Sequence, residues 1–398
     1  MATNAPNASN ATPGTSGTME RILRLMSEKK ASDVYLSAQS PALIRINGQC
    51  VPINSQLLPP EAPRNLLAEI LPPHRIEELE ELNELNMGWS LAGVGRFRIS
   101  AMRQRGSIAA VIRYISVDIP PLDTLGVPMI LGELIMEKRG LLLLVGATGA
   151  GKSTTMAAII DHRNANATGH ILTIEDPLEY LFRNKRSVVN QREVGSDTQS
   201  TQVALKNALR QAPDVIMIGE IRDRETMSAA IAYAQTGHLC LATLHANNSY
   251  QALNRILSFY PVEVRETMLA DLSASLKAIV SQRLLRTTGG GRIPAVEIML
   301  NTNLVAEMIE KGDFSGVKEA MEKSMAEGGQ TFEQDIARLI MEGVVDRKEG
   351  LINSDSPTNL MWRLQNDFNA RAQAPEPAED PDDQPSFTEI TFDVMHGS

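Results

Sequence analysis

Residues 146–153 read Gly146-Ala147-Thr148-Gly149-Ala150-Gly151-Lys152-Ser153, the G-x-x-x-x-G-K-[ST] spacing of a phosphate-binding loop. Its glycines let the backbone wrap closely around phosphate oxygens with the N–H groups pointing inward. The apolar run at 141–145 and the helix formers Thr154-Thr155-Met156-Ala157-Ala158 supply the strand before it and the helix after it. That helix adds the positive end of its dipole at the same place. Lys152 is spaced to reach the β- and γ-phosphates, Ser153 to set its hydroxyl on Mg2+, and Thr154 completes the binding segment. Together these residues predict binding of a nucleoside triphosphate.

Three further clusters fall at the ends of apolar runs. Glu175-Asp176-Pro177-Leu178-Glu179 follows Leu172-Thr173-Ile174 and offers carboxylates to orient or deprotonate an attacking water. The apolar run 215–218 leads through Gly219 to Glu220, a Walker B pattern with Glu for the commoner Asp, suited to Mg2+ through water. His238 and His245 bracket the run 239–243 and are expected to sense or polarise the γ-phosphate side. Structural histidines near an interface are the alternative. Cys240 shares a strand face with His238, but His245 lies beyond the strand and no fourth metal ligand is evident.

A fourth feature comes from pairing. If Arg105-Gly106 is a two-residue hairpin loop, Arg98 faces Arg113, Phe97 faces Tyr114 and Ile99 faces Ile112. Two opposed arginines repel by some tenths of a kcal/mol up to about one, unless an anion fills the gap. Arg98 and Arg113 are therefore expected as arginine fingers for the triphosphate, with solvated surface arginines or another register as the alternative.

The elements that must position these groups follow from composition and periodicity. The 398 residues carry a formal charge of −10 and only 4% aromatics, which argues against a dedicated nucleic-acid surface. Two cysteines cannot form a four-cysteine zinc site or a disulfide scaffold, which fits a reducing cytoplasm. No signal peptide and no membrane-length apolar run is evident, so any membrane role should be peripheral. Residues 1–18 and 371–398 read as flexible tails, the second strongly acidic. Within it Ile390, Phe392 and Val394 alternate with polar residues, either an unstructured end or a docking strand for a partner.

Residues 19–120 read as a small α+β domain. It holds a helix at 19–29, a strand at 42–46 before the turn Asn47-Gly48, helices at 60–71 and 75–85, and the arginine hairpin 96–104 with 107–115. Ile119-Pro120-Pro121 reads as the linker. Residues 121–370 then form an α/β domain with a parallel sheet, from strands at 141–145, 171–174, 215–218 and 239–243. Helices are expected at 152–162, 202–211, 224–235 and 250–259, with one long helix at 262–285. A glycine loop at 289–291, a strand at 295–300 and helices to about 366 complete it.

GATGAGKS, TIEDPLEY (173–180), IGEIRD (218–223) and TGHLCLATLHAN (236–247) resemble the phosphate loop, Asp box, Walker B and His box of secretion-type AAA-like ATPases. The span 31–343 is similar to the type IV pilus retraction ATPases of the PilT and PilU group. The resemblance implies a ring homohexamer in which a PAS-like N-terminal domain and a RecA-like ATPase domain clamp ATP with Mg2+. It implies Glu179 as general base, Glu220 as Walker B acid, and arginine fingers at Arg98 and Arg113.

Departures narrow the reading. The absent four-cysteine zinc element favours retraction over extension. Where the PilT type has AIRNLI, this chain has Leu304-Val305-Ala306-Glu307-Met308-Ile309, and ASDVYL at 31–36 puts Tyr35 where the family has histidine. The PilU branch fits better, implying a helper motor whose partners are a PilT-like paralogue and the inner-membrane pilus platform protein, without nucleic acid or zinc. It implies a cytoplasmic protein, peripheral at the pilus base. The alternatives are an autonomous PilT-like motor, a RecA-like nucleic-acid translocase, or a ring subunit that binds ATP but scarcely turns it over.

Overall fold

The computed structural model describes residues 17–373 apart from 47, 117, 324 and 325. Both tails, including Ile390, Phe392 and Val394, lie outside the described residues but for 17–18 and 371–373. Among the described residues, no helix is long and apolar enough to cross a membrane.

The first helix among the described residues is α1 (Thr18–Glu28), whose Met19, Ile22, Leu23 and Met26 repeat at helical spacing and are all buried. Strands β1 (Asp33–Leu36), β2 (Leu43–Ile46) and β3 (Gln49–Pro52) follow, then α2 (Ala62–Ala68) and α3 (Pro73–Leu82). Next come β4 (Glu84–Leu91), β5 (Gly95–Gln104) and β6 (Ser107–Ile115). The six strands form one antiparallel sheet in the order β3-β2-β1-β6-β5-β4. Its apolar face, with Val34, Phe97, Ile99 and Ile112, packs against apolar side chains of the three helices.

The β5–β6 hairpin has the expected register. Arg105 and Gly106 both have positive φ, 48° and 82°, as a two-residue turn with matching twist requires. Phe97 pairs with Tyr114, Arg98 with Arg113, and Ile99 with Ile112. Residue 85 was expected in a helix reaching from 75. Instead α3 stops at Leu82, because Asn83 takes the left-handed conformation at φ 62°, and Leu85 enters β4.

The larger unit comprises α4 (Ile130–Leu134), β7 (Gly140–Val145), α5 (Lys152–Asn166), β8 (Gly169–Glu175), β9 (Ser187–Glu193), α6 (Thr201–Ala208) and β10 (Val215–Ile218). It continues with α7 (Arg224–Gln235), β11 (Leu239–Leu244), α8 (Ser249–Ser258), α9 (Arg265–Ser275), β12 (Leu276–Arg286) and β13 (Arg292–Leu300). Helices α10 (Asn303–Lys311), α11 (Val317–Lys323), α12 (Phe332–Met341), α13 (Arg347–Asn353) and α14 (Pro357–Gln373) close it.

Its sheet runs β13-β12-β7-β11-β10-β8-β9, parallel except for the β13 edge. All six residues of β7 are buried, as expected for a strand covered by helices on both faces. The long helix expected at 262–285 is a correction: the chain makes a 3-10 turn at Val262–Val264, the short helix α9 and then β12, wedged between β7 and β13. Ile279, Val280 and Leu285 are fully buried in that strand, and a short apolar run reads alike as buried helix or buried strand. Strand β9 was not anticipated.

Candidate nucleotide site

The phosphate loop leaves the C-terminal end of β7 and enters α5 at Lys152. Gly151 sits at φ 89°, which favours glycine, and a Cβ there would lie 2.6 Å from Gln282 Nε2 and push that amide aside. Gln282, a buried residue of β12, holds the loop from beneath. Its Nε2 donates to the Ala150 carbonyl at 2.9 Å, and its Oε1 accepts from the Thr155 hydroxyl at 2.8 Å. Sequence reasoning missed this residue, having assigned its segment to a helix.

The Lys152 ammonium donates to the carbonyls of Gly146 at 2.7 Å and Ala147 at 2.9 Å. Burial lowers its pKa, against an attraction from Glu220. Thr148, Gly149 and Gly151 to Thr154 line a cleft of about 900 Å³, while Ala150 is buried at its base. The Thr154 hydroxyl lies 2.9 Å from that of Tyr180.

The acids converge on the same cleft because β8 and β10 run parallel to β7 through β11 and end beside it. Glu179 is exposed on the loop after β8 and lines the cleft. Glu220, after β10, accepts from Arg222 Nε at 2.6 Å and pairs with His245 Nε2 at 3.1 Å. Glu175 is buried among Thr173 and Gln191, whose side chains donate to it at 2.7 and 3.2 Å. Desolvation pushes its carboxyl up to about 7 despite those bonds. Gln191 also donates to the Tyr180 carbonyl at 2.8 Å, tying the acidic loop to β9.

The histidines part company. His245 follows β11 and lines the cleft. His238 precedes β11, and its carbonyl accepts from the Gly140 N–H where β7 begins. It is therefore at the opposite end of the sheet, roughly 20 Å away at strand rise. The expectation that His238 acts on the γ-phosphate side is corrected on this ground: flanking one strand puts two residues at its two ends. Cys240 is wholly buried and its thiol is pushed far up by desolvation. Among the described residues no cluster of three or more His, Cys, Asp or Glu could hold a metal ion.

The arginines come from the other sheet. Arg113 lines the cleft and donates through Nε to Asp33 at 2.9 Å. Arg98, half-buried and directly opposite it, is not among the cleft-lining residues. The anion beside this opposed pair is supplied by the chain itself, as Asp33. Arg96, two residues from Arg98, pairs with the buried Glu193 of β9 and so bridges the two sheets. Nearby, the Leu181 N–H donates to the Ser116 carbonyl, joining the arginine strand to the acidic loop.

Residues 92–297 match the family model described as type II/IV secretion system protein. The type IV pilus ATPase PilU of Pseudomonas aeruginosa is 47% identical over 342 residues, 86% of this chain and 90% of that protein. The retraction ATPase PilT of the same organism is 35% identical over 339 residues, 85% of this chain and 98% of that protein. The crystal structure of the pilus retraction motor PilT with bound ADP superposes with TM-score 0.81 at 37% identity, covering 87% of this chain and all of that one. With its phosphate loop, acidic clusters and arginine strand meeting at one cleft, the chain belongs to the type II/IV secretion system family and, within it, to the type IV pilus retraction ATPases.

Proposed function

We propose that this retraction ATPase works as a PilU-like helper of a PilT-type motor, as a homohexameric ring beside the inner-membrane pilus platform protein on the cytoplasmic side. The carrying observation for its chemistry is the meeting of Lys152, Glu179, Glu220 and Arg113 at one cleft between two sheets. For the helper role, support comes from 47% identity to PilU against 35% to PilT, and from Ala306-Glu307 in place of Arg-Asn. Glu307 forms an exposed ion pair with Lys311 on α10, giving that surface a character different from an arginine patch.

Residues 19–120 and 121–370 act in this reading as two domains that close on ATP. The loop amides of Gly146 to Ser153 cradle the phosphates, Lys152 leaves its carbonyl partners for the β- and γ-oxygens, and Thr154 borders the site. Ser153 and Glu220 offer a hydroxyl and a carboxylate, hard oxygen donors that suit Mg2+, which when bound would neutralise charge on the phosphates. Glu179 takes a proton from the water that attacks the γ-phosphorus as the bond to the bridging oxygen breaks and ADP leaves. Arg113, and Arg98 after closure, would stabilise the charge on the transferring group, and His245 would hold Glu220.

The decisive experiment is complementation of a strain lacking both retraction ATPases. Retraction restored only with a PilT partner supports the helper role, whereas retraction by this chain alone returns the autonomous reading. Purified chain should form hexamers that hydrolyse ATP, without stimulation by polyanions.

A further inference from the structure

We propose that Asp33 is a positioning residue for Arg113, orienting its guanidinium toward the nucleotide; this rests on the reading of Arg113 as an arginine finger. The β registers set a single row across the small sheet: Arg45 on β2, Asp33 on β1, Arg113 on β6 and Arg98 on β5. One carboxylate thus stands among three guanidiniums.

Its burial is lopsided. The Asp33 side chain is 3% exposed while that of Arg113 is 47% exposed. A buried carboxylate persists only when its oxygens are satisfied, and both are. Oδ1 accepts from Arg113 Nε at 2.9 Å, and Oδ2 accepts from the Ser32 hydroxyl at 2.8 Å. The acid is therefore anchored at both oxygens, and the arginine it holds is a residue that lines the cleft.

The choice of nitrogen matters. A guanidinium presents five N–H donors in a rigid planar fork. Engaging Nε spends one edge on orientation and leaves both terminal amino groups to meet phosphate oxygens in bidentate fashion. Among the described residues Asp33 is the one ion-pair partner of Arg113. An exposed arginine without such an anchor samples many rotamers, and fixing it in advance removes that entropy from the transition state. Asp33 belongs to the segment ASDVYL, and it is the β1–β6 register that sets it beside Arg113.

The test is a double-mutant cycle on the full chain, read by steady-state ATPase kinetics with thermal unfolding as control. Asp33→Asn should lower kcat about ten-fold with little change in KM, since a loosened finger harms the transition state and not ground-state binding. In an Arg113→Ala background the same change should have no further effect on kcat. Should Asp33→Asn fail to fold, Ser32→Ala replaces it, with a kcat loss of about two-fold to three-fold that likewise vanishes on Arg113→Ala. The proposal is overturned if either change carries its full factor onto Arg113→Ala, or leaves kcat at the wild-type value while Arg113→Ala lowers it. Unchanged turnover in Arg113→Ala alone overturns the finger reading, and this proposal with it.

Discussion

The phosphate loop rests on backbone and on Gln282, a buried glutamine from the neighbouring strand β12, while the arginine wall reaches the same cleft as a side chain from another sheet. One wall is complete within its own sheet. The other depends on a pair, Arg113 and Asp33, on the contact between sheets at Arg96–Glu193 and on the link from Ser116 to Leu181 of the acidic loop. The difference separates binding from timing. In the proposed mechanism a rigid loop holds phosphates in any state, whereas an arginine carried on a second sheet would add its charge fully only on closure of the two sheets.

The largest effect that probes this contrast is at the acid on the loop side. Glu179→Gln should reduce phosphate release by about a thousandfold with nucleotide binding kept, the range for loss of a general base. A loss below tenfold would move the base to another carboxylate of the cleft. On the opposite wall, Arg113→Ala should cost at least about a hundredfold in kcat, and Arg98→Ala clearly less, because only Arg113 lines the cleft. Equal losses in steady-state assays would show that closure brings both in.

The foundation of the loop should respond in stability. Gln282→Ala strands the Thr155 hydroxyl and the Ala150 carbonyl, at a cost of about 2 kcal/mol in urea unfolding, together with weaker ATP binding. Glu175 gives a pH signature. Its folded pKa of about 7 lies above its ordinary value of 4.5, so the native state binds the proton more tightly. Its contribution to stability is then greatest below about 4.5, falls as pH rises toward 7 by at most ~1.4 kcal/mol per unit, and levels off above it. Glu175→Gln should flatten that fall in unfolding midpoints between pH 5 and 8. Smallest of all, His238→Ala should change kcat less than about twofold, while His245→Ala, which frees Glu220, should change it more. Equal effects would mean that another subunit brings His238 to the nucleotide.

Much of the site was legible because its geometry is local. Gly146 to Ser153 between an apolar strand and a helix predict a phosphate cradle from their own backbone preferences. Glu179 and Glu220 follow strands whose apolar runs are unmistakable. The opposition of Arg98 to Arg113 was readable too, since a two-residue turn at Arg105-Gly106 leaves one register. What stayed hidden was long-range. Residues 276–286 have the apolar content of a buried helix or a buried strand, and only the vacancy between β7 and β13 decides for strand.

The sequence alone thus determined that a phosphate-loop spacing lies between a strand and a helix, and which arginines stand opposed, because each depends on neighbours a few positions apart. Only the tertiary structure decided that Gln282 supports the loop, that Asp33 anchors Arg113, and that His245 and not His238 shares the cleft. Those outcomes depend on strand order and direction, which parallel crossovers and sheet packing set over separations far beyond any local pattern.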